Sequence, residues 1–203
     1  MSNGDLIENK IIAVARQVFM EHGYENASMS QIASKAGITR SALHYYFRTK
    51  DKMFQAVYAD LIMSFAPQLE NIFSDKTPFL SKVEKVLDEY IRILRKYPDL
   101  PWFLLREIHR DIQFMRKNVE RLGFEKYPKM IGDYLQNEMR KGHLKTVPLP
   151  IIFLTFYGQL SFLFVGREII NSFFVKDEEQ FQALVIEWKK YIIQQIKNLL
   201  CYE

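Results

Sequence analysis

Apolar residues recur at intervals of three and four along nearly the whole chain, the period of amphipathic helices. No stretch keeps the strict alternation of a half-buried strand. Ile11, Ile12, Ala15, Val18 and Phe19 mark a first helix over about Leu6–Glu21. His22 and Gly23 end it: glycine supplies a left-handed terminal residue, and histidine suits the negative end of the helix dipole. Ser28-Met29-Ser30-Gln31 has the form of a capping box, so a second helix starts sharply there and runs to Lys35 or Ala36, where Gly37 stops it. Thr39 is placed to cap a short third helix carrying Arg40 to Tyr45. Thr49 is placed to cap a fourth, from Lys50 to about Phe65, with Met53, Val57 and Leu61 on one face and Ala66-Pro67 at its end. Five longer helices are expected at about 79–97, 99–116, 120–141, 150–172 and 178–200. Tyr97-Pro98-Asp99, Lys141-Gly142-His143, Val147-Pro148 and Val175-Lys176-Asp177 punctuate them. The fold class is all-α.

Composition changes this picture only by exclusion. With 203 residues, the chain can bury a core without help from disulfides or metals, and its single cysteine, Cys201, allows no internal disulfide. Cys201 reads as an incidental thiol. Met1-Ser2-Asn3-Gly4-Asp5 has neither the basic start nor the apolar run of a secretory signal, so a cytoplasmic location is expected. One segment opposes that view. Thr146 to Gly166 is 21 residues without a charge, close to the roughly 20 that cross a bilayer. Pro148, Pro150, Gly158 and Gln159 interrupt it, and its continuous helical part reaches only about 25 Å. A helix buried on every side explains the run better, and a membrane- or lipid-associated module remains the alternative. No membrane partner is expected.

The informative feature is the pair of short helices joined across Gly37. In Gln31-Ile32-Ala33-Ser34-Lys35-Ala36-Gly37-Ile38-Thr39-Arg40-Ser41-Ala42-Leu43, Ala33 permits close helix approach and Ile32, Ile38 and Leu43 supply a shared core. This is a helix-turn-helix, whose second helix can enter a major groove. Ser28, Ser30, Thr39, Ser41, Tyr45, Tyr46, Thr49 and Lys50 form a dense set of phosphate donors around Arg40 and His44. The net charge of +4 is mild, but from Lys35 to Lys52 five basic residues face one acidic residue, so the positive charge is concentrated where a groove would lie. Lys50 opposes the dipole of the helix it begins, a cost that a bound phosphate removes.

Several segments in order carry a family resemblance: Phe19-x-x-x-Gly23-Tyr24, Ser28-Met29-Ser30-Gln31-Ile32-Ala33, Ala36-Gly37-Ile38, Leu43-His44-Tyr45-Tyr46-Phe47 and Lys50-Asp51-Lys52. Over about residues 7–60 the chain closely resembles the DNA-binding domain of TetR-type (tetracycline-repressor-like) transcriptional regulators. The resemblance implies a three-helix DNA-binding domain at residues 1–50 and a larger helical effector-binding and dimerisation domain at 51–203, with the helix near 50–65 connecting them. It implies base-edge contacts from Arg40, Ser41, Ala42 and His44, and backbone contacts from Ser28, Thr39, Tyr45, Tyr46 and Lys50. His44 stands where the family usually has tyrosine. Arg40 is best built for bidentate guanine readout. Leu43 and Phe47 are expected in the core.

Beyond residue 60 lie 13 of the 16 phenylalanines, which suit both a packed core and the walls of an apolar cavity. The candidate effector pocket comprises Phe103, Arg106, His109, Gln113, Phe114, Phe156, Tyr157 and Gln159. An inward Arg106 would favour an anionic effector. The uncharged run and the last helix, with Phe181, Val185, Trp188, Ile192 and Ile196, read as half of a four-helix homodimer interface. The expected partners are a double-stranded DNA operator, a second copy of the chain and a small, largely apolar or aromatic effector that releases a repressor. No cofactor, metal or catalytic residue is expected: the four histidines are scattered, and Glu107 and Asp111 have Arg106 and Arg110 beside them for ion pairing.

Overall fold

The computed structural model describes residues 3–202. Met1 and Ser2, which open the segment read for a leader, and Glu203, which ends the expected second domain, lie outside the described residues. Among the described residues every regular element is helical, so the fold is all-α. In chain order the helices are α1 (Asn3–Asn26), α2 (Met29–Ala36), α3 (Arg40–Tyr46), α4 (Lys50–Met63), α5 (Ala66–Ser74), α6 (Phe79–Lys96), α7 (Leu100–Arg121) and α8 (Lys126–Arg140). After these come α9 (Leu149–Phe153), a π turn (Leu154–Gly158), α10 (Gln159–Val165), α11 (Arg167–Phe173) and α12 (Glu178–Leu200). Packing divides the chain into two compact units. The first takes the chain up to Ser64 together with Trp102–Phe124, and the second takes Phe65–Pro101 together with the chain from Glu125 onward. The packing boundary falls after α4, and most of α7 joins the first unit.

In the first unit, Gly23 interrupts α1 where its end is expected, but helical residues resume as far as Asn26. Gly23 has φ 74°, a region that side chains strongly disfavour. A Cβ there would also meet Arg106 Nε at 2.9 Å. The capping box of α2 is complete: Gln31 N–H donates to Ser28 Oγ at 3.1 Å and Ser28 N–H donates to the Gln31 side chain at 2.8 Å. Gly37, at φ 71°, makes the left-handed turn into α3. Ile11, Ala15, Val18 and Phe19 of α1, Ile32 and Ala33 of α2, Leu43 of α3, Phe54 and Val57 of α4, and Phe103 of α7 are all buried, with α1 packed on α2 and α4. Asp111 leaves helical geometry and divides α7. Its carboxylate accepts the Phe114 N–H at 2.9 Å, so it caps the second half of the helix instead of pairing with an arginine.

The second unit holds two departures from the sequence pattern. Ala66-Pro67 opens α5 instead of only closing α4, because proline fits a first helical turn, where the missing N–H has no helical acceptor. The ammonium of Lys82, only 3% exposed, donates to Ile72 O at 2.7 Å and also to Asp75 O, tying the end of α5 to α6. The helix expected at 150–172 is not continuous: the π turn follows α9, and the segment Leu149–Val165 bends by 62° into α11. At the π turn the Thr155 hydroxyl donates to Ile151 O at 2.9 Å, competing with the backbone ladder. No single helix among the described residues is long and apolar enough to cross a membrane; the bent pair passes on length and composition only. The uncharged run is buried on one side alone. Ile152, Leu160, Leu163 and Phe164 are buried, whereas Ile151, Phe153, Leu154 and Phe162 are exposed in the single chain.

The caps and turns of the first unit give a ranked stability series under urea. Ser28→Ala is expected to lose about 1 kcal/mol through the orphaned N–H of the first turn. Gly37→Ala carries only a backbone penalty of about 1–2 kcal/mol, since nothing lies within 4 Å of its added methyl. Gly23→Ala should lose more than either, because it adds the collision with Arg106; a Gly23→Ala protein as stable as Gly37→Ala would show that contact to be immaterial.

Candidate nucleic-acid interface

The second helix of the helix-turn-helix presents its polar side chains outward. Arg40, Ser41 and Tyr45 are exposed, Tyr45 at 83%, and Ala42, His44 and Tyr46 are half-buried. Leu43 and Phe47 are buried, as their apolar positions require. Thr39 Oγ1 accepts Ala42 N–H at 3.1 Å and Thr49 Oγ1 accepts Lys52 N–H at 3.1 Å. Capping uses only an acceptor lone pair, so the hydroxyl protons of Ser28, Thr39 and Thr49 stay free to donate outward. His44 Nδ1 lies 3.2 Å from Arg48 O; a proton on Nδ1 makes that bond and leaves Nε2 as the acceptor. The Tyr45 and Tyr46 rings meet edge to face at 5.3 Å, so one orients the other. An open depression lined by Tyr46, Phe47, Arg48, Thr49 and Lys52 marks the turn from α3 to α4.

Lys50 is held more closely than its sequence position suggests. Its ammonium donates to Glu25 O at 2.9 Å and lies 4.6 Å from the centre of the Tyr24 ring. Burial, and then the nearby Arg110 guanidinium, push its pKa below the ordinary lysine value. The Tyr24 hydroxyl bonds to Asp51, and Arg110 covers the Tyr24 ring at 4.4 Å. Burial and the Asp51 bond raise the Tyr24 phenol to about 12. Behind Tyr24, Glu107 is fully buried: it accepts Tyr24 N–H at 2.9 Å and Arg110 Nε at 2.7 Å. Sequence spacing shows the Glu107–Arg110 pair, three residues apart on one helix, but not its partner 83 residues away.

This geometry has counterparts of known family. Residues 11–57 match the model of bacterial regulatory proteins, tetR family. The helix-turn-helix head, over these residues, is of the tetR type. Among the described residues no group of three or more His, Cys, Asp or Glu side chains could hold a metal ion. The tetR-type head is 41% identical over 64 residues to the transcriptional regulator SrpR of Pseudomonas putida, a match spanning 30% of each chain. Over 136 residues, 67% of this chain and 70% of the relative, it is 21% identical to the fatty acid metabolism regulator protein of Bacillus subtilis. A crystal structure of the transcriptional regulator FadR from Bacillus subtilis in complex with stearoyl-CoA shares the fold, with a TM-score of 0.69, 17% identity, and 91% and 97% of the two chains covered.

The residues read as an effector pocket divide between the two units. Phe103, Arg106, His109, Gln113 and Phe114 belong to the first, and Phe156, Tyr157 and Gln159 to the second. Phe103 and Phe114 pack on Phe54 at 6.0 and 5.6 Å, while His109 and Gln113 are exposed. Arg106 is not left facing a cavity: its guanidinium donates to Phe19 O at 3.0 Å and Met20 O at 2.9 Å, filling acceptors that the break at Gly23 leaves open. The argument from Arg106 to an anionic effector therefore falls. In the second unit Tyr157 stacks between Phe153 and Tyr90 at 5.1 and 5.5 Å, and Tyr90 shares a 2.6 Å hydrogen bond with Ser161. Gln159 Nε2 donates to Gln195 at 2.6 Å. Phe156 is half-buried within the π turn.

Burial and then the Asp51 bond raise the Tyr24 phenol from 10.0 to about 12, so the stability linked to its proton is full below pH 10 and is lost as pH rises toward 12. Absorbance titration at 295 nm should show a late tyrosine ionisation near pH 12 that Tyr24→Phe removes; loss of an ionisation near pH 10 instead would place that phenol in open solvent.

Proposed function

We propose that two copies of this chain bind a palindromic operator as a repressor and that a small, largely apolar effector releases them. The observation that carries the reading is α3 itself: a short helix that turns its apolar side into the first unit and points Arg40, Ser41 and Tyr45 outward, between hydroxyl groups with free protons. In this reading Arg40, Ser41, Ala42 and His44 meet base edges, while Ser28, Thr39, Tyr45, Tyr46 and Lys50 hold the backbone. The functional domains are the head at 1–50 and the body at 51–203, with α4 as connector.

A second copy is supported by the apolar surface of the second unit. Phe153, Leu154, Phe162, Ile169, Phe173 and Phe174 are each more than half exposed, a concentration of rings that marks an interaction surface. A two-fold pair would set two recognition helices about 34–36 Å apart, one turn of duplex. Effector binding would act through α4, which leaves α3 at Thr49, by favouring a spacing that fits consecutive half-sites poorly; a ligand with equal affinity for both states would shift nothing. Long acyl chains are the first effector class to test, because the Bacillus subtilis relative is a fatty acid metabolism regulator and its structural counterpart is a complex with stearoyl-CoA. The phenylalanine-rich body provides the matching apolar surface.

Selection of bound sequences from a random duplex pool at fixed salt should return a palindrome with half-sites one turn apart; recovery of no sequence preference would remove the reading. On the selected operator, Arg40→Ala should relax preference at one base pair by about 1–3 kcal/mol, whereas Lys50→Ala should weaken all sequences and reduce the salt slope by about one. Stearoyl-CoA added to the wild-type complex should lower operator affinity in a gel shift, and full retention at saturating ligand would exclude that effector.

A further inference from the structure

We infer that Glu107 is a positioning residue for DNA binding, acting through Tyr24 to fix the Lys50 ammonium at the start of α4. This rests on the proposed role of Lys50 as a phosphate ligand and extends it to a residue that no duplex can reach. The chain of contacts is continuous. The buried Glu107 carboxylate accepts the Tyr24 N–H at 2.9 Å and anchors Arg110 at 2.7 Å, and Arg110 lies against the Tyr24 ring at 4.4 Å. Lys50 lies 4.6 Å from the same ring, and its ammonium is bonded to the carbonyl of the next residue, Glu25, at 2.9 Å. The Tyr24 hydroxyl holds Asp51, the neighbour of Lys50 in the first turn of α4. Arg106, beside Glu107, donates to Phe19 O and Met20 O, so the segment on both sides of Gly23 is held from α7.

The arrangement presents a cation ready for an anion. The Lys50 ammonium is partly desolvated and faces a like charge on Arg110, a state that a phosphate oxygen relieves. It also stands where the free amides of the first turn of α4 favour negative charge. Without the Glu107 carboxylate, Arg110 and the Tyr24 backbone lose their common acceptor, and the platform under Lys50 is no longer fixed. A flexible lysine then loses more conformational freedom on reaching the phosphate.

A double-mutant cycle on the full-length protein, read by fluorescence anisotropy on the selected operator across a salt series, tests this. Lys50→Ala and Glu107→Gln should each weaken binding and lower the salt slope, and the double variant should bind no more weakly than Lys50→Ala alone. Losses that multiply, or a Glu107→Gln protein with wild-type affinity, overturn the inference while leaving the operator reading intact. An ineffective Lys50→Ala overturns both the phosphate role and the positioning role, whereas the wild-type protein on the operator reports separately on the proposed function. If Glu107→Gln does not fold, Arg110→Gln, at a less buried position, completes the same cycle with the same expected non-additivity.

Discussion

Burial of the Phe54 ring organises the first unit. Fully enclosed, it meets Phe19 at 5.3 Å and Tyr24 at 5.2 Å from α1, and Phe103 and Phe114 from α7, with Tyr58 beside it on α4. Removing such a side chain from water contributes about 1.5–3 kcal/mol, and favourable ring pairs about 0.5–1.5 kcal/mol each. Helices α2 and α3, of eight and seven residues, are too short to hold themselves in water. Ile32 and Leu43 are fully buried, and their helices are held in turn, α2 on α1 and α3 on α2, with α1 packed on the α4 that carries Phe54. The polar surface of α3 is thus set locally, and the rigidity behind it is not.

The same dependence explains why polar bonds gather at the break in α1. Ending one helical run at Gly23 leaves carbonyls without helical donors, and Arg106 supplies them from a distant part of the chain. Its neighbour Glu107 could not be buried as a lone charge, since desolvating a carboxylate costs several kcal/mol unless it is paired and hydrogen-bonded. Arg110 and the Tyr24 amide meet that requirement. A fully buried carboxylate is therefore both a demand on the fold and a point through which α7 bears on the first turn of α4.

In the second unit the contrast lies between its two apolar surfaces. Phe164 and Phe181 meet edge to face at 5.7 Å inside it, whereas Phe153, Phe162, Phe173 and Phe174 stand outward.

Much of the head was legible in the chain itself. Ser28, Gln31, Gly37, Thr39 and Thr49 act on amides and dihedral angles within three or four residues of themselves, so caps, turn and helix limits from 28 to 50 follow from local chemistry. The exposure of Arg40, Ser41 and Tyr45 was readable for the same reason, because they lie away from the buried Leu43 on a short capped helix. The apolar period also placed α6 and α12 within a residue or so of their limits. It could not tell which polar side chains face inward, nor that the uncharged run breaks at a π turn and bends. Those depend on partners far along the chain, as Arg106 depends on Phe19 and Lys82 on Ile72. Local hydrogen bonding is written in neighbouring residues; the destination of a long charged side chain is set only when burial forces it to find an acceptor.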